Sequence, residues 1–345
     1  MAVAPNKLVP PPAPAAPSAA GANEAAIAAA QDDTLAALGM TPWVCSPTIT
    51  IISKMPVADR TAACNSMTGQ DAFFFNLMGT STPVAGDNTV GLEVTVFENR
   101  DKYQQYAGSI YGVPVNNGGV YLEASDPSVP GSKDRFVAYQ DANFETQPHH
   151  VWNLNHEYTH YLDGRFDKYG PDHQDDSTIW WTEGLAEYVA FSYLNKANTA
   201  ATGLAGNHTW KLSQLFDTTY GDSDKVYKWG YLAVRYMMQS HRADVDALLG
   251  YWRAGDYTGA STYLHNTVGT KYDSDWDAWL TACAAGNCGT TPVTSPTPTP
   301  PAVSECTASD VRALGKNCKR SNLSGTAGAL SYFWFDIPAG TPQLT

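Results

Sequence analysis

Residues 151 to 166 read VWNLNHEYTHYLDGRF, and the fold turns on how that stretch is taken. His156, Glu157 and His160 spell H-E-x-x-H. On a helix, positions i and i+4 share one face about a turn apart, so both imidazoles can reach one ion. Histidine nitrogen is an ordinary zinc donor, and Glu157 stands where it can take a proton from a water activated at the ion. The surrounding pattern predicts a helix: Trp152, His156, Tyr158 with Leu162, and Phe166 recur at three- and four-residue spacing. Pro148 suits its first turn and Gly164 its stop. Glu is scarce, at nine positions, and His occurs eight times, so the pattern arises by chance in fewer than about 1 in 100 such chains. The competing reading is a surface helix with two solvated histidines.

A second stretch decides against that. Two histidines leave a tetrahedral zinc one protein ligand short, with the last place kept for water. Residues 180 to 188, WWTEGLAEY, bring Glu183 23 positions after His160, enough for a loop and a returning helix. Glu187 falls one turn further along the same face. It suits the role of an acceptor for the outer N–H of His156 or His160, which fixes ring orientation. The alternative for both acids is dipole-favoured enrichment at a helix start.

H-E-x-x-H followed by E-G-x-A-E is similar to the gluzincin zinc metallopeptidases. The fuller text, HEYTHYLDGRF with WWTEGLAEY and, upstream, YAGSIYGVPVNNGGVYLE, resembles the peptidase unit of the bacterial collagenases from about Cys45 to about Cys288. The resemblance implies an α+β, thermolysin-like domain: a small mixed sheet over the zinc-bearing helix, then a mostly helical second subdomain. It implies Zn²⁺ on His156, His160 and Glu183, with Glu157 as general base. Asn116-Asn117-Gly118-Gly119 permits positive φ and opens a strand. The resemblance puts Gly118 and Gly119 along the substrate cleft, where a peptide would lie backbone to backbone on an edge strand; an ordinary tight turn is the alternative. It also implies a structural Ca²⁺ held by Glu123 and by carbonyls around Gly164 and Phe166, a chemically sensible oxygen set. An oxyanion donor is implied in Tyr227-Lys228-Trp229-Gly230, with Tyr227 first, Tyr231 in reserve and plain aromatic packing as the rival.

The whole chain, 345 residues with a net charge of −13, is long enough for one large or two ordinary domains. Its acidity argues against nucleic-acid or anionic-membrane partners, and no run reaches the roughly 20 apolar residues of a spanning helix. Six cysteines fall in near pairs, Cys45 with Cys64, Cys283 with Cys288 and Cys306 with Cys318. Disulfides and a secreted, oxidising setting follow, since no C-x-x-C suggests a zinc knot. The first residues lack the apolar core of a signal peptide, so secretion rests on chemistry and resemblance.

The expected organisation is a Pro/Ala-rich lead over 1–44 with a helix in 23–40, a catalytic subdomain over 45–189 and a helical helper over 190–289. A Pro/Thr linker spans 290–303, and 304–345 resembles the opening of a pre-peptidase C-terminal β-sandwich. About forty residues cannot close such a sandwich, so the chain is expected to stop inside it. Strands are predicted at 48–52 and 91–97, helices at 58–77 and 99–111. Acidic Asp172, Asp175 and Asp176, with His173, read as a solvated surface loop. Asp273, Asp275 and Asp277 lack the Gly and Glu of a calcium loop and read as a helix start.

By resemblance the substrates are collagen and gelatin, cut before Gly, and the protein is a monomer. The residues ahead of Cys45 are too few for the helical activator domain that such collagenases carry, so gelatin and peptides are expected to be cut rather than native collagen. Two other readings stay open within the fold, an aminopeptidase and a general endopeptidase. A non-catalytic matrix-binding protein is the third, and it has no use for Glu157.

Overall fold

The computed structural model describes residues 19–124, 126–143, 145–168 and 178–288. Helix α1 (Ala19–Ala37) leads into the antiparallel pair β1 (Thr41–Ser46) and β2 (Ile49–Ser53). Helix α2 (Val57–Met78) then crosses over to β3 (Leu92–Phe97), which runs parallel to β2. After α3 (Arg100–Tyr111) come β4 (Gly119–Leu122) and β5 (Asp134–Tyr139). β5 joins β3 in parallel and β4 in antiparallel register, giving one mixed sheet of order β1-β2-β3-β5-β4. The central β3 is buried along its whole length, as β-branched and aromatic runs in mid-sheet should be. Alternation divides the rest. Ile51, Val94, Phe136 and Ala138 face a large core with α2 and the helices that follow. Ile52, Phe97, Val137 and Tyr139 meet Tyr103 and Ala107 of α3 and Leu35 of α1.

Below the sheet lie α4 (Leu154–Phe166) and α5 (Ile179–Tyr193). The second half is helical: α6 (Thr199–Thr202), α7 (Leu212–Leu215), a π-helical turn at Asp224–Trp229, α8 (Gly230–Ser240), α9 (Arg242–Arg253), α10 (Tyr257–Thr262), a second π-helical turn at Tyr263–Val268, and α11 (Asp273–Ala284). The α+β class and the mixed sheet thus match the expectation.

Several details differ from it. The sheet begins at Thr41, ahead of the expected boundary at 45, and Leu35 and Met40 are buried against it. β1 was missed because Pro42 discourages a strand; it is tolerated on a sheet edge, which β1 is. The zinc-motif helix starts at Leu154, not near Pro148, because His150 and Asn153 take left-handed φ of 55° and 53° and turn the chain into it. Gly164 does not stop that helix, which continues to Phe166; Tyr121 of β4 crosses close over Gly164, and an added Cβ there would stand 3.4 Å from its hydroxyl oxygen. The α2 and α3 ranges fall within a residue or two of prediction, with Asn99 capping α3 through Lys102 N.

Disulfides join Cys45 to Cys64, tying β1 to α2, and Cys283 to Cys288 at the end of α11. The acidic loop with His173, the linker, the sandwich-like segment and the pair Cys306–Cys318 lie outside the described residues.

Candidate active site

The α4 helix is held from behind before it offers anything in front. Its rear side chains are polar but satisfied: Gln70 of α2 donates to Thr159 Oγ1 at 2.8 Å and to the Asn155 carbonyl at 3.0 Å, and Asn155 donates back to Gln70 Oε1 at 2.7 Å. Tyr158 donates to Asp71 Oδ1 at 2.6 Å. Buried, fully bonded networks of this kind fix one arrangement. They set the rotation of α4 that turns His156 and His160 toward the cleft.

The α5 helix is locked to the same helix at its C-terminal end. Asp163 accepts from Trp181 Nε1 at 3.2 Å and pairs with Lys168 Nζ at 2.6 Å, while Lys168 also donates to Thr182 Oγ1. These links bring the start of α5 onto α4, and Glu183 arrives beside the imidazoles. His156 Nε2 and His160 Nε2 lie 3.2 Å and 3.5 Å from Glu183 Oε2. The three donor atoms lie within 4.8 Å of one another, and the imidazole rings meet edge to face at 4.9 Å. Among the described residues this is the one cluster of three or more His, Cys, Asp or Glu able to hold a metal.

Two nitrogens and a carboxylate oxygen converging in a buried place suit zinc. Burial opposes charge on His156, yet Glu183 and Glu187 outweigh it and hold the imidazole well above its usual pKa. Burial likewise opposes ionisation of Glu183, and the His160 and His156 rings outweigh it and keep the carboxyl well below the usual range.

Behind the donors, Glu187 Oε1 stands 3.1 Å from His156 Nδ1, at an angle outside a strict hydrogen bond. Its other oxygen accepts from Asn198 Nδ2 at 2.9 Å. Asn198 also caps α6 by accepting from Ala201 N. Glu187 thus stands beside His156, anchored in turn by Asn198.

Glu157 is 7% exposed and points into the same cleft. Burial lifts its carboxyl above the ordinary range; the His160 and His156 rings and an N–H from Tyr121 of β4 pull the other way.

A cavity of about 420 Å³ joins these groups to β4. Gly118, Gly119, Val120, Tyr121 and Leu122 form one wall, the three donors and Glu157 the floor, and Tyr220 and Tyr227 the opposite rim. β4 is the sheet's edge, so its outer side carries unpaired backbone groups toward the cleft.

Both glycines line the cleft, but neither has positive φ. A Cβ on Gly118 would run into the Trp152 indole, and one on Gly119 would press on Phe136 Cε2 at 3.2 Å. Packing from across the fold leaves no room for a side chain at 118 and little at 119, a reason distinct from the tight turn that was the alternative reading.

The tyrosines separate cleanly. Tyr227, in the first π-helical turn, is 38% exposed with its ring 6.1 Å from that of His156. Burial and the charges of Glu183 and Glu157 push its pKa up, so it stays a donor. Tyr231 is 2% exposed and accepts from Arg235, so the reserve candidate belongs to the core. Tyr220 escaped the sequence reading altogether. Its hydroxyl donates to Glu183 Oε1 at 2.9 Å, and nothing in TTYGDSD signals it.

Glu123 follows β4 and brings its carboxylate beside the last turn of α4, where an added Cβ on Gly164 would stand 3.8 Å from Oε1. The Phe166 carbonyl accepts from Arg253 Nε at 3.3 Å, and the same guanidinium pairs with Asp167 at 2.6 Å.

Comparison with known proteins agrees with this geometry. The M9 peptidase family model, described as collagenase, matches residues 18–279. A microbial collagenase of Vibrio alginolyticus is 40% identical over 242 residues, 69% of this chain and 29% of that protein. One from Vibrio parahaemolyticus is 36% identical over 307 residues, 86% of this chain and 36% of that protein. Collagenase ColA of Bacillus cereus is 25% identical over 205 residues, 55% of this chain and 20% of that protein. The chain thus spans about a third or less of the length of these relatives. The matched segment contains the convergent donors, the edge strand and the helices that hold them, and on that match this chain belongs to the M9 collagenase family of peptidases.

Proposed function

We propose that the chain is a zinc metalloendopeptidase that cuts collagen- and gelatin-type chains before Gly. The observation that carries the reading is the convergence of His156, His160 and Glu183, with Glu157 beside them, under an unpaired strand edge. His156, His160 and Glu183 would hold the ion. Zinc bound there supplies Lewis acidity, polarising a peptide carbonyl and making water a nucleophile near neutral pH.

The protein's own groups do the rest. The outer side of β4 receives the substrate as an added antiparallel strand, which sets one peptide bond over the floor of the cleft. Glu157 takes a proton as water oxygen attacks the carbonyl carbon, and gives it to the departing amine when the C–N bond breaks. Its carboxylate and β4 line the same cleft, so it faces the strand that bears the substrate. Tyr227, a donor on the far rim, meets the negative charge that grows on the carbonyl oxygen. Glu187 and Asn198 fix the orientation of His156.

Further parts of the reading have their own support. Glu123, with carbonyls of Gly164 and Phe166, forms a proposed calcium site at the end of α4. The nearness of Glu123 to Gly164 favours it, and Arg253 shares the Phe166 carbonyl. The two disulfides suit secretion. The net charge of −13 disfavours nucleic acid as a partner, and no helix among the described residues is long and apolar enough to cross a membrane. A monomer is proposed.

Glu157→Gln tests the centre of this. The variant should keep one zinc per chain and lose cleavage of an end-blocked peptide spanning an Xaa-Gly bond by at least about 100-fold. Full activity in that variant rules out Glu157 as the base. A blocked peptide left intact while free-amine peptides are trimmed marks an aminopeptidase instead.

A further inference from the structure

The two oxygens of Glu183 do not have the same neighbours. Oε2 faces the His156 and His160 Nε2 atoms at 3.2 Å and 3.5 Å, while Oε1 receives the Tyr220 hydroxyl at 2.9 Å. Glu183 is 7% exposed, and a carboxylate that deep needs a donor for each oxygen. Tyr220 supplies one from a segment with no regular structure between α7 and the first π-helical turn.

Tyr220 as a whole residue is 56% exposed. Hydrophobic burial is therefore a poor reason for a tyrosine at 220. The polar end is the part that is used, and it reaches inward to a carboxylate on another element 37 residues away. Tyr227 sits on the same rim, yet among the described residues its hydroxyl has no such hydrogen bond. The two tyrosines thus have different attachments: one is tied to the donor set, the other faces open cleft.

We infer that Tyr220 is a positioning residue for the third metal-ligating side chain, holding Glu183 so that Oε2 alone is offered to the imidazole pair. The inference rests on the zinc reading above. Untethered, a carboxylate can swing and present both oxygens, filling the place that water needs. A hydroxyl bonded to one oxygen opposes that swing. Outer partners of this kind are worth 10- to 100-fold in metal affinity.

The test compares wild type, Tyr220→Phe and Tyr220→Ala, each stripped and reloaded. Zinc affinity is read by competition with a chromogenic chelator, and coordination by the visible spectrum of the cobalt-substituted protein. Loss of the hydroxyl should weaken zinc binding by about 10- to 100-fold, equally in both variants, and change the cobalt bands. The melting temperature of the metal-free protein should fall alike in both variants, since each leaves Glu183 Oε1 without its donor. Wild-type affinity and spectrum in Tyr220→Phe overturn the inference, as does a loss confined to Tyr220→Ala, which would make the ring the active part. A fall in kcat with affinity and spectrum unchanged also overturns it, placing Tyr220 on the substrate. A wild-type protein that binds no zinc removes the metal reading itself, a result distinct from all of these.

Discussion

Replacing Gly184 by alanine should damage both the fold and the metal site, although alanine is the better helix former. Gly184 lies in α5 directly after Glu183 and meets Gly230 at the start of α8. A Cβ there would overlap the Gly230 carbonyl oxygen and stand 2.5 Å from its carbonyl carbon and 2.9 Å from Val234 Cγ2. Carbon atoms rest at about 3.5–4.0 Å, so one helix must retreat by about 1 Å, and two of the three obstacles are backbone. Helix propensity favours alanine by about 1 kcal/mol. Overpacking of a rigid core costs about 1–3 kcal/mol and sometimes more. The net expectation is a loss of up to about 2 kcal/mol, taking the two terms together. The metal site is hit harder, since ligand distances tolerate only about 0.2 Å and the residue displaced with Gly184 is Glu183. Zinc affinity should fall at least about tenfold. Gly250 in α9 is the matched control: it is exposed, and a Cβ there meets nothing within 4 Å. Gly250→Ala should stabilise by about 0.5–1 kcal/mol and leave zinc untouched. Urea unfolding followed by tryptophan fluorescence and a chelator competition read both effects. A Gly184→Ala protein as stable and as zinc-tight as wild type refutes the argument from close helix approach.

Asp71 gives a pH-dependent prediction. Burial raises its pKa from 3.8 to about 6, against the lowering effect of the Tyr158 hydroxyl. A raised carboxyl favours the fold below about pH 4, and that benefit is lost as pH rises through 6. Asp71→Asn keeps an acceptor for Tyr158 and should stabilise by up to about 3 kcal/mol at pH 8, at 1.36 kcal/mol per unit. The gain should vanish near pH 4, and equal melting shifts at both pH values would contradict the assignment. Removing the Cys45–Cys64 bridge, which spans 19 residues, should cost about 3 kcal/mol. Chemical unfolding of the Cys45→Ser, Cys64→Ser double variant checks it, and an unchanged midpoint would show that the bridge contributes nothing.

The parts of this molecule that could be read from sequence are those set by local geometry. His156 and His160 needed only a helix, because i and i+4 meet whatever else the chain does. Glu183 and Glu187 followed by the same rule once a second helix was granted. The alternating runs of β2 and β3 were legible for the corresponding reason. Features that depend on distant contacts were not. Gly118 was read as a cleft glycine with a tight turn as the alternative, and neither reading held the Trp152 indole, 34 positions on, that excludes a side chain there. Gly164 looked like a helix stop, while its cause is a strand crossing overhead. Tyr220 and Asn198 carry no periodic signal, because loops and caps place side chains singly. The π-helical turns at 224–229 and 263–268 insert an extra residue per turn and so break the 3.6-residue count that would have separated Tyr227 from Tyr231.

Asn198 spends one end of its amide on capping α6 and the other on Glu187, and Gly230 of α8 sets how near α5 can come. Both belong to segments that leave the ribosome after every ligand has been made. Under the proposed chemistry a chain still lacking them would hold its zinc about 10- to 100-fold more weakly. Loosening of the later helices by heat or damage would then show first as weaker metal binding.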